Sequence, residues 1–209
     1  MKNLHLAMVT GFGDKGIEQL HRKLTADLQP SSSKVIESAP WNRALEHPNT
    51  VIQRVRKELS EIPEDEIVLI GHSYGALIAL VAACRQRFLK LLKVVLIDGP
   101  LNAHVEVNPA KLAHRIFFKH YENRKQVARE CETLLSFDDP QYASKVVSIV
   151  TENDKIVPPS AKKLNGNFKN LILESDNKVD ELEFPADRGV NITLPQWYGG
   201  HRLEPRLLR

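Results

Sequence analysis

The sequence predicts an α/β domain in which a mostly parallel central sheet of about six strands lies between layers of helices. Several short runs contain almost only apolar residues, as expected of strands buried on both faces; residues 67–70 and 94–97 are the clearest. Segments with helical periodicity alternate with these runs. The chain has 209 residues, of which 42% are hydrophobic, so it can bury the core of one domain without disulfides or metals.

The first half of the chain alternates regularly between strand and helix. Residues 4–10 are predicted to form an apolar strand that ends at a glycine turn, and residues 34–37 are predicted to form a short second strand. Between them, a helical face is predicted at Ile17, Leu20, Leu24 and Leu28. A second helix is expected to start at an N-cap at Asn49 or Thr50 and to end at Pro63, with an apolar face of Val51, Ile52, Val55, Leu59 and Ile62.

The second half departs from this alternation once. Residues 101–140 show the spacing of two short helices rich in His, Arg and Lys, and we expect them to form a short helical cap over the strand ends. Strands follow at residues 142–151, 171–173 and 190–194. The predicted organisation is a single domain, residues 1–209, with the cap inserted at about residues 101–140.

Composition excludes several classes of function. A net charge of +3, with basic and acidic residues interleaved, argues against nucleic acid as a partner. No apolar segment approaches the ~18 residues of a membrane span, so stable membrane insertion is not expected. No metal-ligand cluster and no phosphate-binding glycine motif is present, so neither a metal nor a cofactor is predicted. Cys84 and Cys131 are widely separated, and the short apolar run at the N-terminus is typical of a first strand and not of a signal core; both favour the cytoplasm.

A candidate nucleophile lies between the strand at residues 67–70 and the Ala-rich apolar helix at residues 77–83. The intervening sequence, Gly71-His72-Ser73-Tyr74-Gly75, fits a sharp strand-to-helix turn with a serine at its apex. Such a turn strains the serine backbone, and it presents the hydroxyl at the end of the sheet. A serine hydroxyl is a weak nucleophile that needs a histidine base and a carboxylate to orient that base.

A candidate acid and a candidate base follow later strands, and the carboxyl ends of parallel strands meet at one edge of a sheet. Asp154 follows the strand that ends at residue 151, and His201 lies in a Gly-Gly-His turn after the last predicted strand. Asp98, directly after the strand at residues 94–97, is the competing acid; we favour Asp154 because Asp98-Gly99-Pro100 is also an ordinary turn sequence.

With these motifs in view, the chain resembles a small α/β-hydrolase over nearly its whole length. That family commonly shows an acid loop of the form Asp-x-aliphatic-Val-Pro, here residues 154–158, and a Gly-His turn, here Gly200-His201. It also uses a glycine turn after an early strand, here residues 10–13, for the oxyanion hole. The resemblance therefore implies that the backbone N–H groups of Phe12 and Tyr74 bind the oxyanion.

Two positions depart from the pattern of that family. Thr10 stands where many members have a histidine, and Thr151 stands where a glycine often precedes the acid. Neither departure removes a reacting group.

The function expected from the triad and the resemblance is hydrolysis of a carboxylic ester or thioester through an acyl-enzyme, with a small-molecule substrate. Ser73 would attack, His201 would move the proton and Asp154 would stay ionised. The aromatic residues predicted to line the substrate pocket are Trp41, Phe117, Trp197 and Tyr198. Two alternatives stay open: a non-catalytic binding protein on a hydrolase scaffold, and an interfacial lipase whose basic cap contacts lipid. The sequence leaves the oligomeric state and the acyl group undetermined.

Overall fold

Six parallel strands form one sheet in the computed structural model of the chain, in the order β2-β1-β3-β4-β5-β6. The strands are β1 Leu4–Val9, β2 Ser32–Ile36, β3 Glu66–His72, β4 Leu91–Ile97, β5 Val146–Thr151 and β6 Lys169–Leu173. The predicted parallel α/β sheet is confirmed. Because β3 pairs with both β1 and β4, the Gly-x-Ser-x-Gly segment, whose first two residues are the last two of β3, leaves the sheet from an interior strand.

The structure describes residues 4–11, 17–38, 46–63, 66–87, 90–102, 125–130, 133, 140–152, 157–166, 168–173, 182–183 and 191–192.

Three long helices cover the two faces of the sheet: α1 Ile17–Leu28, α2 Pro48–Ser60 and α3 Tyr74–Arg85. Successive side chains of a strand point to opposite faces, and β1 shows this directly. Leu4, Leu6 and Met8 pack in one apolar cluster with α1, whereas Ala7 and Val9 pack in another with α2 and α3. The result is the predicted three-layer arrangement.

Helix α2 begins earlier than the sequence analysis predicted. Its N-cap is His47, whose Nδ1 accepts a hydrogen bond from the backbone N–H of Asn49 (3.2 Å), and Pro48 is its first residue. The expectation of an N-cap at Asn49 or Thr50 is therefore wrong. Proline suits the first helical position because its fixed φ matches the helix and its missing N–H has no intrahelical acceptor there.

Part of the segment predicted as a cap packs against the side of the domain. Residues 125–130 are helical, and Val127 and Ala128 are buried in the apolar cluster that also contains α2 and α3. Glu130 pairs with Arg85, the last residue of α3, at 2.6 Å. Most of residues 101–140 lies outside the described residues, so a cap over the strand ends stays a prediction.

The strand predicted at residues 190–194 lies outside the six-stranded sheet. Asn191–Ile192 pairs in antiparallel fashion with Leu182–Glu183 in a separate two-stranded ladder. The sequence of residues 190–194 alternates apolar and polar side chains, which is typical of an antiparallel strand with one solvated face and not of a parallel strand buried on both.

Among the described residues, no helix is both long and apolar enough to cross a membrane.

Candidate active site

Ser73 lies in the turn between β3 and α3, with φ 53° and ψ −127°. A non-glycine residue with positive φ is uncommon, and such a strained conformation persists only where the surroundings enforce it. Here the Ser73 N–H donates to the carbonyl of Ile97 at the end of β4 (2.8 Å), and the Ser73 carbonyl accepts from the Ala76 N–H (3.0 Å). The predicted sharp strand-to-helix turn is present, with the serine at its apex.

The glycines on both sides of Ser73 allow this turn to pack closely. A Cβ on Gly71 would lie 2.5 Å from the Cα of Ala76, and a Cβ on Gly75 would lie 2.2 Å from the carbonyl oxygen of Thr10. Both contacts are with backbone atoms, which cannot move aside as a flexible side chain can. Any larger residue at either position would therefore separate α3 from β3 or from β1.

Gly11 brings the backbone that follows β1 against the serine side chain. A Cβ on Gly11 would lie 2.8 Å from Ser73 Cβ and 3.4 Å from Ser73 Oγ. The predicted oxyanion donor Phe12 lies outside the described residues, but the residue before it is in contact distance of the candidate nucleophile.

Tyr74, the other predicted oxyanion donor, is the first residue of α3, so its N–H lies at the positive end of that helix. Its side chain is buried in the core, and burial, together with the negative charge of Glu46, raises the pKa of its hydroxyl. The side chain packs in the core with α2 and α3. Only the backbone of Tyr74 is suited to the predicted role.

Four residues after β1 and β2 form what we call the β1–β2 cluster: Thr10, Ser38, Glu46 and Arg54. The fully buried Ser38 donates from Oγ to the Thr10 carbonyl, and the Ser38 N–H donates to Thr10 Oγ1 (3.3 Å). Arg54 Nη2 donates to the carbonyls of Glu37 (3.1 Å) and Ser38 (3.3 Å), while its Nη1 pairs with Glu46 (3.1 Å). Thr10, which stands where many α/β-hydrolases have a histidine, thus joins the backbone before Gly11 to the residues that follow β2.

Three residues on the other side of Ser73 form what we call the β4–β5 cluster: Asp98, Thr151 and Lys162. Asp98 and Lys162 are 2% and 0% exposed, and Lys162 Nζ lies 2.7 Å from Asp98 Oδ1. Asp98 Oδ1 also accepts from the Thr151 N–H (2.8 Å), and the Thr151 hydroxyl lies 2.9 Å from Oδ2. Burial raises the pKa of the Asp98 carboxyl, while the Lys162 ammonium and the bonds from Thr151 oppose that shift.

These contacts bear on the choice between the two candidate acids. Both carboxylate oxygens of Asp98 are engaged by Lys162 and Thr151, so Asp98 serves as one half of a buried ion pair. Asp154 lies outside the described residues, but it follows Thr151, the last residue of β5, by three positions. The sequence analysis missed Lys162 altogether, because Lys162-Lys163 has the composition of an exposed turn.

Of the predicted site residues, the structure places Ser73 and Tyr74. The following predicted residues lie outside the described part of the chain: Phe12, Trp41, Phe117, Asp154, Trp197, Tyr198 and His201. Within the part of the chain that is described, no group of three His, Cys, Asp or Glu side chains could hold a metal ion.

Comparison with known proteins finds similarity in structure and not in sequence. No family model and no curated protein matches the chain. A structure from work on LipS and LipT, two metagenome-derived lipolytic enzymes, matches with a TM-score of 0.58 at 12% identity, covering 83% of each chain. A variant of the meta-cleavage product hydrolase CumD from Pseudomonas fluorescens matches with a TM-score of 0.52 at 13% identity, also over 83% of each chain. The protein has the α/β-hydrolase fold. Est1E of Butyrivibrio proteoclasticus with ferulic acid bound also matches, with a TM-score of 0.50 at 12% identity over 83% of this chain and 79% of Est1E.

At this level of identity, the likeness establishes the fold alone, because one fold hosts many activities. Positive φ also occurs at other described non-glycine residues, and Ser73 is the one at the strand-to-helix turn after β3; the others are Gln29, Arg87, Lys90 and Asp98. In the α/β-hydrolase fold the nucleophile stands on the turn after a central strand, and the next backbone N–H contributes to the oxyanion hole. The turn at Ser73 occupies the corresponding place in this chain, directly after the interior strand β3.

Proposed function

We propose that the protein is a serine hydrolase that cleaves a carboxylic ester or thioester through an acyl-enzyme intermediate. The observation that carries this proposal is the strained backbone of Ser73 at the strand-to-helix turn, with Gly11 against its side chain. Strain of this kind is costly, about 1–3 kcal/mol, and it clusters at functional sites.

In the proposed mechanism, Ser73 attacks the carbonyl carbon while His201 removes the hydroxyl proton. His201 then protonates the leaving group, and in the second half-reaction it activates the water that releases the acid. The N–H groups of Phe12 and Tyr74 stabilise the oxyanion, and losing one such donor typically lowers the rate by about 10²–10³. Asp154 holds the imidazole in its working tautomer and stabilises its charged form.

Asp154 is the better candidate for the acid because Asp98 is already engaged. A carboxylate that neutralises a buried lysine at 2.7 Å cannot leave it to orient a histidine without exposing that charge to the protein interior. Asp154 also follows a strand two positions from β3 in the sheet, about 10 Å away at the usual strand spacing, a gap that an intervening imidazole can bridge.

The substrate we propose is a small-molecule ester or thioester, bound by Trp41, Phe117, Trp197 and Tyr198 beneath a short cap. The cap would be formed within residues 101–140, apart from the helical residues 125–130 that pack against α2 and α3. These aromatic side chains offer large apolar area at low conformational cost, which suits an acyl group. The two widely spaced cysteines support a cytoplasmic location for the reaction.

A fluorophosphonate probe tests the central step. We expect the probe to label the wild-type protein and to leave Ser73→Ala unlabelled, since the probe reacts with an activated serine hydroxyl. The matched control is Ser60→Ala, which removes an exposed hydroxyl in the last turn of α2 and should be labelled like the wild type. Failure of the folded wild-type protein to react would favour the non-catalytic binding protein.

The identity of the acid needs its own pair of variants. Asp154→Asn should lower kcat on a p-nitrophenyl ester by up to ~10⁴-fold while leaving the melting temperature unchanged. Asp98→Asn should instead lower the melting temperature. Full loss of turnover in folded Asp98→Asn, with Asp154→Asn still active, would reverse the assignment. A series of esters of increasing chain length separates the esterase from the lipase, which requires long chains and activation at an interface.

A further inference from the structure

Lys162 is fully buried, although lysine is among the residue types least often found in protein interiors. An ammonium group has three hydrogens to donate. Among the described residues, Lys162 Nζ lies within hydrogen-bond distance of these three oxygens: Asp98 Oδ1 at 2.7 Å, the Thr151 carbonyl at 3.0 Å and Thr151 Oγ1 at 3.0 Å. Two of the three acceptors therefore belong to one residue, Thr151 at the end of β5.

The contact between Lys162 and Thr151 joins two residues that lie on either side of Asp154 in the chain. Thr151 is the last residue of β5, and Lys162 is the last residue of the one-turn helix Pro159–Lys162. The bond from Lys162 Nζ to the Thr151 carbonyl therefore joins the two ends of the segment 152–161. That segment contains Asp154.

Other bonds hold the helix end without using the ammonium group. Ser148 Oγ donates to the Lys162 carbonyl (2.8 Å), and the Asn102 N–H donates to the Ala161 carbonyl (2.9 Å). Loss of the ammonium should thus loosen the link to Thr151 while the helix stays attached to β5 and to the chain after β4.

We propose that Lys162 is a positioning residue for catalysis, whose ammonium fixes both ends of the segment that carries Asp154. The proposal rests on the proposed function, in which Asp154 orients His201. Catalytic groups must be held within about 0.5 Å of their working geometry by their supporting contacts. Asp98 supplies the negative charge that stabilises the buried ammonium of Lys162.

The double variant Asp98→Asn/Lys162→Met tests this proposal without leaving a buried charge unpaired. It removes one positive and one negative charge together, so the net charge is unchanged, and both replacements are close in volume to the originals. We expect kcat on a p-nitrophenyl ester to fall about 10- to 100-fold with KM within about twofold of wild type, as for a misplaced catalytic group. A merely structural role would leave kcat per folded molecule unchanged.

The pH profile gives a second readout. A well-placed carboxylate raises the pKa of the histidine base. Displacement of the Asp154 carboxylate should therefore move the acidic limb of the kcat/KM profile to lower pH. Hydrogen exchange gives a third, which needs no activity: amides of residues 152–158 should exchange faster in the double variant, and those of β1 should not.

Two matched comparisons keep the result specific. Arg85→Met breaks the ion pair with Glu130 at the far end of α3 and should leave kcat, the pH profile and exchange at residues 152–158 unchanged. Thr151→Val removes one acceptor of the ammonium and should lower kcat less than the double variant does, whereas Thr151→Ser retains the hydroxyl and should match wild type.

The outcomes separate this proposal from the proposed function. If the wild type turns over substrate and the double variant has the same kcat, the same acidic limb of the pH profile and the same hydrogen exchange at residues 152–158, the positioning role is overturned. The proposed hydrolase activity would be unaffected by that result. Faster exchange with unchanged kcat would overturn it as well, because the anchored ends would then be irrelevant to the reaction. An unlabelled, inactive wild type would overturn the proposed function, and the catalytic role of Lys162 with it.

Discussion

The β1–β2 cluster and the β4–β5 cluster lie on opposite sides of Ser73 and both join neighbouring strand ends, but they differ in chemistry. The β4–β5 cluster centres on an ion pair whose two partners are 0% and 2% exposed. In the β1–β2 cluster, the buried contacts are made by hydroxyl and backbone groups, and the ion pair between Arg54 and Glu46 is 22% and 19% exposed. The β4–β5 side is thus held by an ion pair that is excluded from solvent. The β1–β2 side is held by neutral hydrogen bonds together with a partly exposed ion pair.

This difference predicts how each cluster responds to the loss of one member. A buried charge that loses its partner has no water to replace it, so the penalty is large. A neutral group leaves at most an unsatisfied hydrogen bond, and a partly exposed charge is solvated when its partner is removed. Similar positions in the fold should therefore tolerate substitution to very different degrees.

The largest effect is expected from Lys162→Met alone. It leaves the Asp98 carboxylate buried without its counter-ion, and such a change typically costs about 3–5 kcal/mol in the free energy of unfolding. Urea unfolding followed by circular dichroism measures this. The loss should be smaller at low pH, where protonation of Asp98 removes the unpaired charge; burial already raises the pKa of that carboxyl in the wild type.

The control for this prediction is the double variant Asp98→Asn/Lys162→Met. Replacement of both members of a buried ion pair is often neutral or stabilising, so the double variant should recover most of the lost stability. A double variant as unstable as Lys162→Met would show that packing of the lysine side chain, and not its charge, holds this part of the fold.

The sequence predicted the turn at Ser73 but neither of the two clusters beside it. Ser73 could be identified because a strained strand-to-helix turn needs small residues at fixed spacing, and Gly71 and Gly75 supply that local signal. Lys162 has no such signal, because its burial depends on β4 and β5 meeting it in space. Lys163, next to it and of the same type, is exposed.

The departures from the family pattern have a structural explanation that the sequence alone did not provide. Thr10 and Thr151 lacked a role in the sequence analysis, yet each donates or accepts hydrogen bonds that join two strand ends. Likewise, the helical periodicity predicted the core face of α2, but the helix begins with a proline, and its N-cap, His47, lies two to three residues before the expected cap. Local pattern predicts elements well, whereas contacts between distant residues require the fold.

A smaller effect is expected from Ser38→Ala in the β1–β2 cluster. The substitution removes the bond from Ser38 Oγ to the Thr10 carbonyl in a fully buried place, which should lower the free energy of unfolding by about 1–2 kcal/mol. Urea unfolding of this variant beside Lys162→Met compares the two clusters directly. A loss at Ser38 equal to that at Lys162 would contradict the distinction between neutral and charged contacts.

The smallest effect is expected from Arg54→Gln. This change removes a pair with Glu46 and two bonds to the carbonyls of Glu37 and Ser38, but its surroundings are partly solvated, so we expect a loss of only about 1 kcal/mol. Arg54→Lys separates the contributions, because lysine keeps the charge and lacks the planar fork that reaches both carbonyls. If the fork matters, Arg54→Lys should lose part of the stability at any salt concentration. The part due to Glu46 should shrink in 1 M salt, where the screening length is about 3 Å, whereas the Lys162 effect should not, since salt screens buried pairs far less.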